Sequence, residues 1–198
     1  GIITDTLEAC GSFENTYLIF LADHGELLGD HGFFGKEERH YDACIRPPLI
    51  VAGPGMQKGV VCPEFVQHED ICPTVLDMAE LKPVALPKMG PYLKVDTEDI
   101  PILAGESLVG LCTGVKKKSF RKEAYVESYN PIWSIQYIDW ARTIVADGFR
   151  YTYYPDNTGD QLFDVANDPN EQANLAADLE YLEIKRDLKD RLMECIIR

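Results

Sequence analysis

The stretch YLIFLADHGELLGDHGFFGK, residues 17–36, places a continuous apolar run directly before an Asp-His-Gly tripeptide. An apolar and aromatic run of this length is typical of a strand that is covered on both faces, as the strands of a parallel sheet are. In open α/β sheets, ligands bind beyond the carboxyl ends of the strands. Asp23 and His24 stand at that end of the predicted strand. The stretch therefore predicts a buried strand with a functional site at its end.

A second apolar run, PPLIVAGPG at residues 47–55, begins with two prolines and ends with Gly-Pro-Gly. It predicts a second buried strand. We expect residues 18–22 and 49–52 to be neighbouring strands of one mostly parallel sheet, because both runs are apolar on two faces. The residues between the two runs lack a good amphipathic helix, which favours a long functional loop.

The segments around these strands predict further elements. Apolar residues at helical spacing predict a helix over residues 2–10, ended by Gly11. Residues 60–66 predict a strand, and Asp70 is then expected to cap a helix that has a proline in its first turn. Residues 82–99 have no clean period and predict a loop or an insertion.

The C-terminal part has a different pattern. Residues 123–128 predict a short strand, and residues 141–154 predict two strands joined by an Asp-Gly turn, with residues 161–165 as the next strand. From Ala176 the spacing predicts a helix with one apolar stripe, formed by Ile184, Leu188, Leu192 and Ile196. The fold class is therefore α/β: residues 1–111 belong to an α/β domain, and residues 112–198 form a smaller antiparallel sheet with a terminal helix.

Composition narrows the partners. Of the 198 residues, 19 are basic and 33 acidic, which gives a net charge of −14. A surface this acidic repels phosphate backbones and anionic lipid, so we expect neither a nucleic acid nor a membrane as partner. A small anionic substrate stays compatible, because a metal or a lysine can reverse the field inside a cleft. No apolar run reaches the roughly 18 residues of a membrane span, and no signal peptide is apparent.

Six cysteines are scattered without a C-x2-C pair, which excludes zinc-ribbon and thioredoxin-like motifs. Their number allows a disulfide framework, but a chain of this length does not need one. We interpret them mainly as reduced thiols, several in the core, which predicts a cytoplasmic protein.

The Asp23-His24 pair has two interpretations. A carboxylate oxygen and an imidazole nitrogen are common ligands of a divalent ion. Both side chains can reach one ion only if the backbone turns after the strand, and Gly25 provides that freedom. The alternative is an Asx turn that ends the strand and leaves the histidine exposed.

Three other polar residues follow. A lysine near a metal binds an anionic oxygen as a point charge, which makes Lys36 a candidate, although most lysines are simply solvated. His31 is a candidate acid, a partner of the metal ligands, or a loop histidine packed on Phe33. His40 and His68 have no neighbours in sequence that distinguish them from ordinary polar positions.

Five motifs follow one another along most of the chain: NTYLIFLADHGELLGDHGFFGK, ACIRPPLIVAGPG, VQHEDICPTVLDMAEL, GESLVGLCTG and ARTIVADGFRYTYYPDNTGDQLFDVANDPNEQANLA. In this order they resemble the sulfatase family of the alkaline-phosphatase-like superfamily. The resemblance implies the C-terminal part of that fold, with Asp23 and His24 as ligands of a divalent cation, Ca²⁺ or alternatively Mg²⁺ or Mn²⁺. It also implies that Lys36 contacts the sulfate of a small ester substrate, with His31 as a further catalytic candidate.

The chain departs from the family in one respect. The family's nucleophile is a cysteine or serine, oxidised to formylglycine, in a Cys/Ser-x-Pro/Ala-x-Arg motif, and no residue here fits that motif; CIRPP at Cys44 has the wrong order. We therefore expect the C-terminal part of a sulfatase, inactive without its N-terminal half and prone to form homo-oligomers through an uncovered apolar face. The alternatives are a phosphonate or phosphodiester hydrolase of the same superfamily and a non-catalytic binding module.

Overall fold

The computed structural model describes residues 1–36, 39–82, 103–130, 139–155 and 159–197. It divides into two compact units. The first unit contains Gly1–Leu21 and Leu49–Arg121, and the second contains Ala22–Pro48 and Lys122–Arg198. The segment that follows the first strand therefore belongs to the same unit as the C-terminal residues. The domain division after residue 111 stays a prediction.

The elements are numbered in chain order. The helices are α1 (Ile2–Ala9), α2 (Asp42–Ile45), α3 (Ile71–Met78), α4 (Val109–Cys112) and α5 (Leu182–Ile197). The strands are β1 (Leu18–Leu21), β2 (Leu49–Ala52), β3 (Ala124–Asn130), β4 (Asp139–Ala146), β5 (Phe149–Tyr153) and β6 (Gln161–Asp164). Single turns of 3₁₀ helix cover Phe13–Asn15, Asp30–Gly32, His68–Asp70 and Leu179–Tyr181. Among these described elements, no helix has the length and apolarity that crossing a membrane requires.

Strands β1 and β2 are neighbours, as predicted, but the predicted parallel direction is wrong. They pair antiparallel, with Leu18 opposite Ala52 and Leu21 opposite Leu49. A parallel pair needs a crossover connection that returns the chain to the starting end of the sheet. Residues 22–48 instead belong to the second compact unit, and the chain re-enters β2 at the end where it left β1. No parallel pairing occurs in the described part of the chain.

One face of this two-stranded sheet is uncovered. Phe20 and Ile50 lie directly opposite each other, and each is 60% exposed. Their neighbours Leu18, Leu49 and Val51 are half-buried. The apolar pattern therefore correctly predicted strands, but the described residues do not cover both of their faces.

The segment before α3 is the second correction. Residues 60–66 form no strand, whereas the helix predicted after Asp70 is present as α3. The Asp70 side chain does not cap α3. Its two oxygens accept hydrogen bonds from the backbone N–H groups of Gln67 at 2.8 Å and Glu106 at 2.9 Å, so it links the segment before α3 to the segment around Glu106. The loop predicted at residues 82–99 lies almost wholly outside the described residues.

The second unit contains the predicted antiparallel sheet, whose strand order is β3-β4-β5-β6. A two-residue turn joins β4 to β5, with φ of 52° at Asp147 and 83° at Gly148. Two consecutive positive φ values suit the right-handed twist of a tight hairpin. The C-terminal sheet and its turn are therefore confirmed. The terminal helix is confirmed as an element, but it begins at Leu182 and not at Ala176 as predicted.

The two faces of this sheet bury different partners. Helix α5 packs on one face, where the core consists of Ile144, Ala146, Tyr151, Leu162, Leu188 and Leu192. On the other face, Phe163 packs with Leu27, Tyr41 and Cys44 from the segment after β1. Adjacent strand residues point to opposite faces, so Tyr151 packs toward helix α5 while its neighbour Arg150 lies on the face of Phe163. The C-terminal sheet thus positions the segment that carries the predicted site.

All six cysteines are free thiols. Only Cys44 is buried, whereas Cys112 and Cys195 are half-buried and Cys10, Cys62 and Cys72 are exposed. The expectation that several cysteines lie in the core is therefore right for Cys44 alone.

Candidate functional site

The candidate site lies on residues 22–48, the segment between β1 and β2 that we call the site loop. The Gly25 N–H donates a hydrogen bond to the Cys44 carbonyl oxygen at 2.8 Å. A Cβ atom on Gly25 would lie 1.8 Å from the Ala43 carbonyl oxygen. Gly25 does not have a positive φ. Glycine is therefore required here by the close approach of two backbones, and not by a positive φ.

Asp23 and His24 present two potential ligand atoms. Nδ1 of His24 lies 2.7 Å from the Gly25 carbonyl oxygen. Because a carbonyl oxygen only accepts, Nδ1 carries a proton, which leaves Nε2 as the ring nitrogen that could be a metal ligand. This Nε2 is 3.7 Å from Oδ2 of Asp23. The Asp23 side chain is 89% exposed and that of His24 is 38% exposed, so both atoms are accessible.

The pKa of Asp23 lies below its usual value. The largest cause is the hydrogen bond from the His24 backbone N–H, 3.0 Å from Oδ1, followed by the electrostatic interaction with the His24 side chain. The Lys36 ammonium lowers the pKa further, although more weakly. Asp23 is therefore a carboxylate at neutral pH, and Lys36 lies close enough to interact with it electrostatically. The three predicted site residues share one loop of one compact unit.

Lys36 is held through its backbone. Its carbonyl oxygen accepts hydrogen bonds from the Arg39 N–H at 3.3 Å and from Sγ of Cys44 at 3.8 Å. The Lys36 side chain is exposed, and no described carboxylate forms an ion pair with it. A fixed backbone with an unpaired ammonium is suited to binding an anion from solution.

His31 stacks on an aromatic ring of the loop. Its imidazole lies 3.7 Å from the Tyr41 ring, centroid to centroid, with 10° between the planes. Of the three interpretations of His31, packing within the loop has this contact in its favour, with Tyr41 as the stacking ring and not the predicted Phe33. A catalytic role of His31 stays a prediction.

His40 is a functional candidate that sequence reasoning missed. It is 4% exposed, with Nδ1 2.8 Å from Oγ1 of Thr143 and Nε2 3.0 Å from Oγ of Ser128. Burial, and then the charge of Arg150, lower its pKa to about 4, so the imidazole is neutral at pH 7. Its partners lie 103 and 88 residues away along the chain, so no local pattern marks the position.

A metal fits the donor atoms of Asp23 and His24 in kind but not in number. Carboxylate oxygen and neutral imidazole nitrogen are both ligands of divalent ions. In the residues that the structure describes, no group of three or more His, Cys, Asp or Glu side chains could hold a metal ion. The described chain therefore provides two ligands of a site that needs more.

Cys44, the cysteine of the loop, is unsuited to be a nucleophile. Burial raises the pKa of its thiol, and the charges of Glu26 and Glu171 raise it further. The reactive form of cysteine is the thiolate. The described residues of the loop thus include a lysine predicted to bind an anion and two predicted metal ligands, and among them we find no activated attacking group.

Comparison with known proteins assigns the class. The sequence family described as N-sulphoglucosamine sulphohydrolase, C-terminal, matches residues 29–198. The chain belongs to this family, which places it among the sulfatases and at their C-terminal part.

Individual relatives agree with this assignment. The uncharacterised sulfatase YidJ of Escherichia coli K12 is 30% identical over 184 residues, which cover 91% of this chain and 32% of the relative. The chain spans about a third of the length of the curated relatives it matches. The solved structure of BT4656 with its substrate D-glucosamine-2-N,6-O-disulfate matches with a TM-score of 0.79 and 26% identity, over 98% of this chain and 37% of the other. The phosphonate monoester hydrolase of Agrobacterium radiobacter matches with a TM-score of 0.77 and 25% identity, over 98% and 37%.

Proposed function

We propose that this chain is the C-terminal part of a metal-dependent sulfuric ester hydrolase that acts on small sulfate esters. One observation carries the proposal: Asp23, His24 and Lys36 lie on one loop. Within this loop Cys44 hydrogen-bonds both to Gly25, the residue after His24, and to the Lys36 carbonyl oxygen. Membership of the sulfatase family supports the reaction class. The reaction needs charge stabilisation on sulfate oxygens, and an exposed lysine beside metal ligands is suited to supply it.

In this proposal Lys36 binds a sulfate oxygen, while Asp23 and His24 are two ligands of a divalent cation, expected to be Ca²⁺, with Mg²⁺ or Mn²⁺ as alternatives. When bound, the cation would polarise the sulfate oxygens as a Lewis acid. The hydrogen bond from Nδ1 of His24 to Gly25 keeps Nε2 available as a ligand. His31, fixed against Tyr41, is a further candidate for proton transfer.

The attacking group is expected to come from the N-terminal half of the parent protein, as formylglycine. A nucleophile aligned with the sulfur can account for on the order of 7–11 kcal/mol of the barrier. The buried Cys44 thiol cannot replace it. The 198-residue chain alone is therefore expected to hydrolyse no sulfate ester.

The experiment compares the full-length parent with its Lys36→Ala variant on an aryl sulfate. Removing one electrostatic donor costs on the order of 10²–10³ in kcat, and we expect that loss here. Lys58→Ala is the matched control, because Lys58 is an exposed lysine outside the site loop and should change activity less than twofold. A fully active Lys36→Ala parent would remove lysine from the substrate site.

A second readout concerns the metal pair and does not need activity. Mn²⁺ added to the 198-residue chain should broaden the His24 ring resonances in NMR spectra before those of the exposed His68. Asp23→Asn should abolish this selectivity, because it removes the neighbouring carboxylate charge. Equal broadening of both histidines would contradict a cation site at Asp23 and His24.

A second candidate function is phosphonate ester hydrolysis, which the match to the Agrobacterium radiobacter enzyme favours. Sulfate and phosphonate monoesters present similar anionic oxygens to a lysine and a cation. Assays of both esters with the same parent separate the two candidates, since the preferred ester should have the higher kcat/KM. Turnover of neither ester would favour a non-catalytic binding module.

A further inference from the structure

Helix α2, residues 42–45, joins the two halves of the candidate site. The Cys44 carbonyl oxygen accepts the Gly25 N–H at 2.8 Å, directly after the Asp23-His24 pair. Sγ of the same cysteine donates to the Lys36 carbonyl oxygen at 3.8 Å. The backbone positions of the metal ligands and of the lysine therefore depend on where this short helix lies.

One buried carboxylate anchors helix α2. Oε2 of Glu171 accepts the backbone N–H of Asp42, the first residue of the helix, at 2.7 Å. Glu171 is 3% exposed, and its Oε1 accepts a hydrogen bond from Nε of the fully buried Arg150. The guanidinium of Arg150 also lies over the rings of Tyr41, at 5.3 Å, and Phe163, at 4.8 Å. The anchor thus extends from the C-terminal sheet to the first amide of α2.

The same network reaches His40, two residues before the helix. Nη1 of Arg150 donates to Oγ1 of Thr152 at 2.6 Å, and this hydroxyl is 2.6 Å from that of Thr143. Thr143 then contacts Nδ1 of His40 at 2.8 Å. His40 and Asp42 are therefore held by two ends of one continuous buried hydrogen-bond network.

This network is poorly explained as a stabilising device. A buried ion pair often contributes no more than a well-packed apolar pair would, because desolvation offsets the attraction. Nη2 of Arg150 is also buried without a hydrogen-bond partner in the described structure, and such a group costs about 1–3 kcal/mol. The network does, however, fix the position of one backbone amide of α2, that of Asp42.

We propose that Glu171 is a positioning residue of the hydrolase. It holds helix α2 so that Lys36 and the Asp23-His24 pair keep fixed positions relative to each other. The inference rests on the proposed function of the loop. Glu171 touches no reacting atom, and it acts through Asp42 and Cys44. Substitution of a residue that acts by holding the binding residues in place typically changes affinity or activity 10–100-fold.

The test is a double-mutant cycle between Glu171→Gln and Lys36→Ala in the full-length parent. If Glu171 positions both Lys36 and the Asp23-His24 pair, Glu171→Gln should lower kcat/KM about tenfold in the wild-type background. The loss should be clearly smaller in the Lys36→Ala background, where only the effect through Asp23 and His24 remains. A residue that merely supports folding would lower activity equally in both. Equal losses in both backgrounds therefore overturn the proposal.

Glu123→Gln is the matched control. Glu123 pairs with Arg191 of helix α5 at 2.8 Å and makes no contact with the site loop among the described residues. We expect it to change kcat/KM less than twofold in both backgrounds. Should Glu171→Gln fail to fold, Glu171→Asp keeps the charge beside Arg150 while withdrawing the carboxylate from Asp42, and the same cycle applies.

Hydrogen exchange in the 198-residue chain separates this inference from the proposed function. Glu171→Gln should speed exchange of the amides of Gly25, Leu27 and Gly29, which are hydrogen-bonded within the site loop, more than that of the β4 and β5 amides. An active Lys36→Ala parent with this exchange pattern would sink the proposed function alone. Unchanged loop exchange with full Glu171→Gln activity, beside an inactive Lys36→Ala parent, would sink the positioning role alone.

Discussion

His40 is a buried imidazole whose protonation is linked to the stability of the fold. Its pKa falls from the ordinary 6.5 to about 4, first because of burial and then because of the charge of Arg150. As the pH drops below 6.5, His40 is protonated in the unfolded chain, whereas in the folded chain it stays neutral until about pH 4. Its contribution to stability is therefore complete above pH 6.5 and lost between pH 6.5 and 4, by about 3 kcal/mol.

His40→Gln tests this dependence, because an amide can donate and accept without titrating. Urea unfolding at pH 7 and pH 4 should show that the wild type loses about 3 kcal/mol more than the variant over this interval. Carboxylates titrate in both proteins and cancel in the difference. His68→Gln, at an exposed histidine, should behave as the wild type does. Parallel loss in wild type and His40→Gln would contradict the depressed pKa.

Gly25→Ala tests the close approach of the two backbones. A Cβ 1.8 Å from the Ala43 carbonyl oxygen forces the start of the loop away from helix α2. We expect a loss of more than about 2 kcal/mol in the free energy of unfolding, or a displaced loop. Gly55→Ala is the comparison, since it has open space and a φ of 74°, so only backbone strain of about 1–2 kcal/mol applies. Equal costs for both variants would show that steric contact at Gly25 is unimportant.

Among individual residues, sequence reasoning selected Asp23, His24 and Lys36 as candidates because their signal is local: they follow an apolar run at short spacing. It missed His40 and gave Glu171 no role, because the partners that define both residues are remote. Glu171 contacts Asp42 from 129 residues away. A role that depends on contacts between residues remote in sequence cannot be predicted from the local spacing of residue types.

Helix α5 is held to the sheet by a few buried residues of its apolar stripe. Leu188 is 2% exposed and packs in the core with Ile144, Tyr151 and Leu162. Leu188→Ala should lower the free energy of unfolding by about 2–5 kcal/mol, through lost burial and the cavity left behind. Met193 of the same helix is 48% exposed, so Met193→Ala should lower the free energy of unfolding by less than about 0.5 kcal/mol. Thermal denaturation of the two variants checks this, and a cost below 1 kcal/mol at Leu188 would contradict the packing.

The relative direction of β1 and β2 is a property that the hydrophobic pattern of the strands does not predict. Apolar runs correctly predicted both strands and their adjacency, and alternation with an Asp-Gly turn predicted the C-terminal hairpin. Strand direction depends instead on where the connecting segment ends. That segment packs with residues beyond 122, a contact that hydrophobic periodicity does not encode.

For the molecule as a whole, the uncovered face around Phe20 and Ile50 predicts self-association of the isolated chain. Both side chains are 60% exposed on a two-stranded sheet whose edges are unpaired among the described strands. Exposed apolar faces and free strand edges favour pairing with another copy. Sedimentation velocity should detect dimers or larger species of the wild type. Replacing both residues by Gln should shift the distribution to monomer, whereas Val115→Gln, at an exposed loop valine, should not. A wild type that stays monomeric would argue against an interface here.

The interleaving of the two compact units also sets an order of events during synthesis. Glu171 leaves the ribosome 129 residues after Asp42, which at usual elongation rates is on the order of 10 seconds later. Throughout that interval the nascent site loop has emerged without its anchor, so the loop should be among the last regions to acquire its final form. Contacts this distant in sequence are also slow to form, because their loop-closure entropy must be overcome first. A polypeptide released before residue 171 would carry the aspartate, the histidine and the lysine, but it would lack the carboxylate that anchors helix α2.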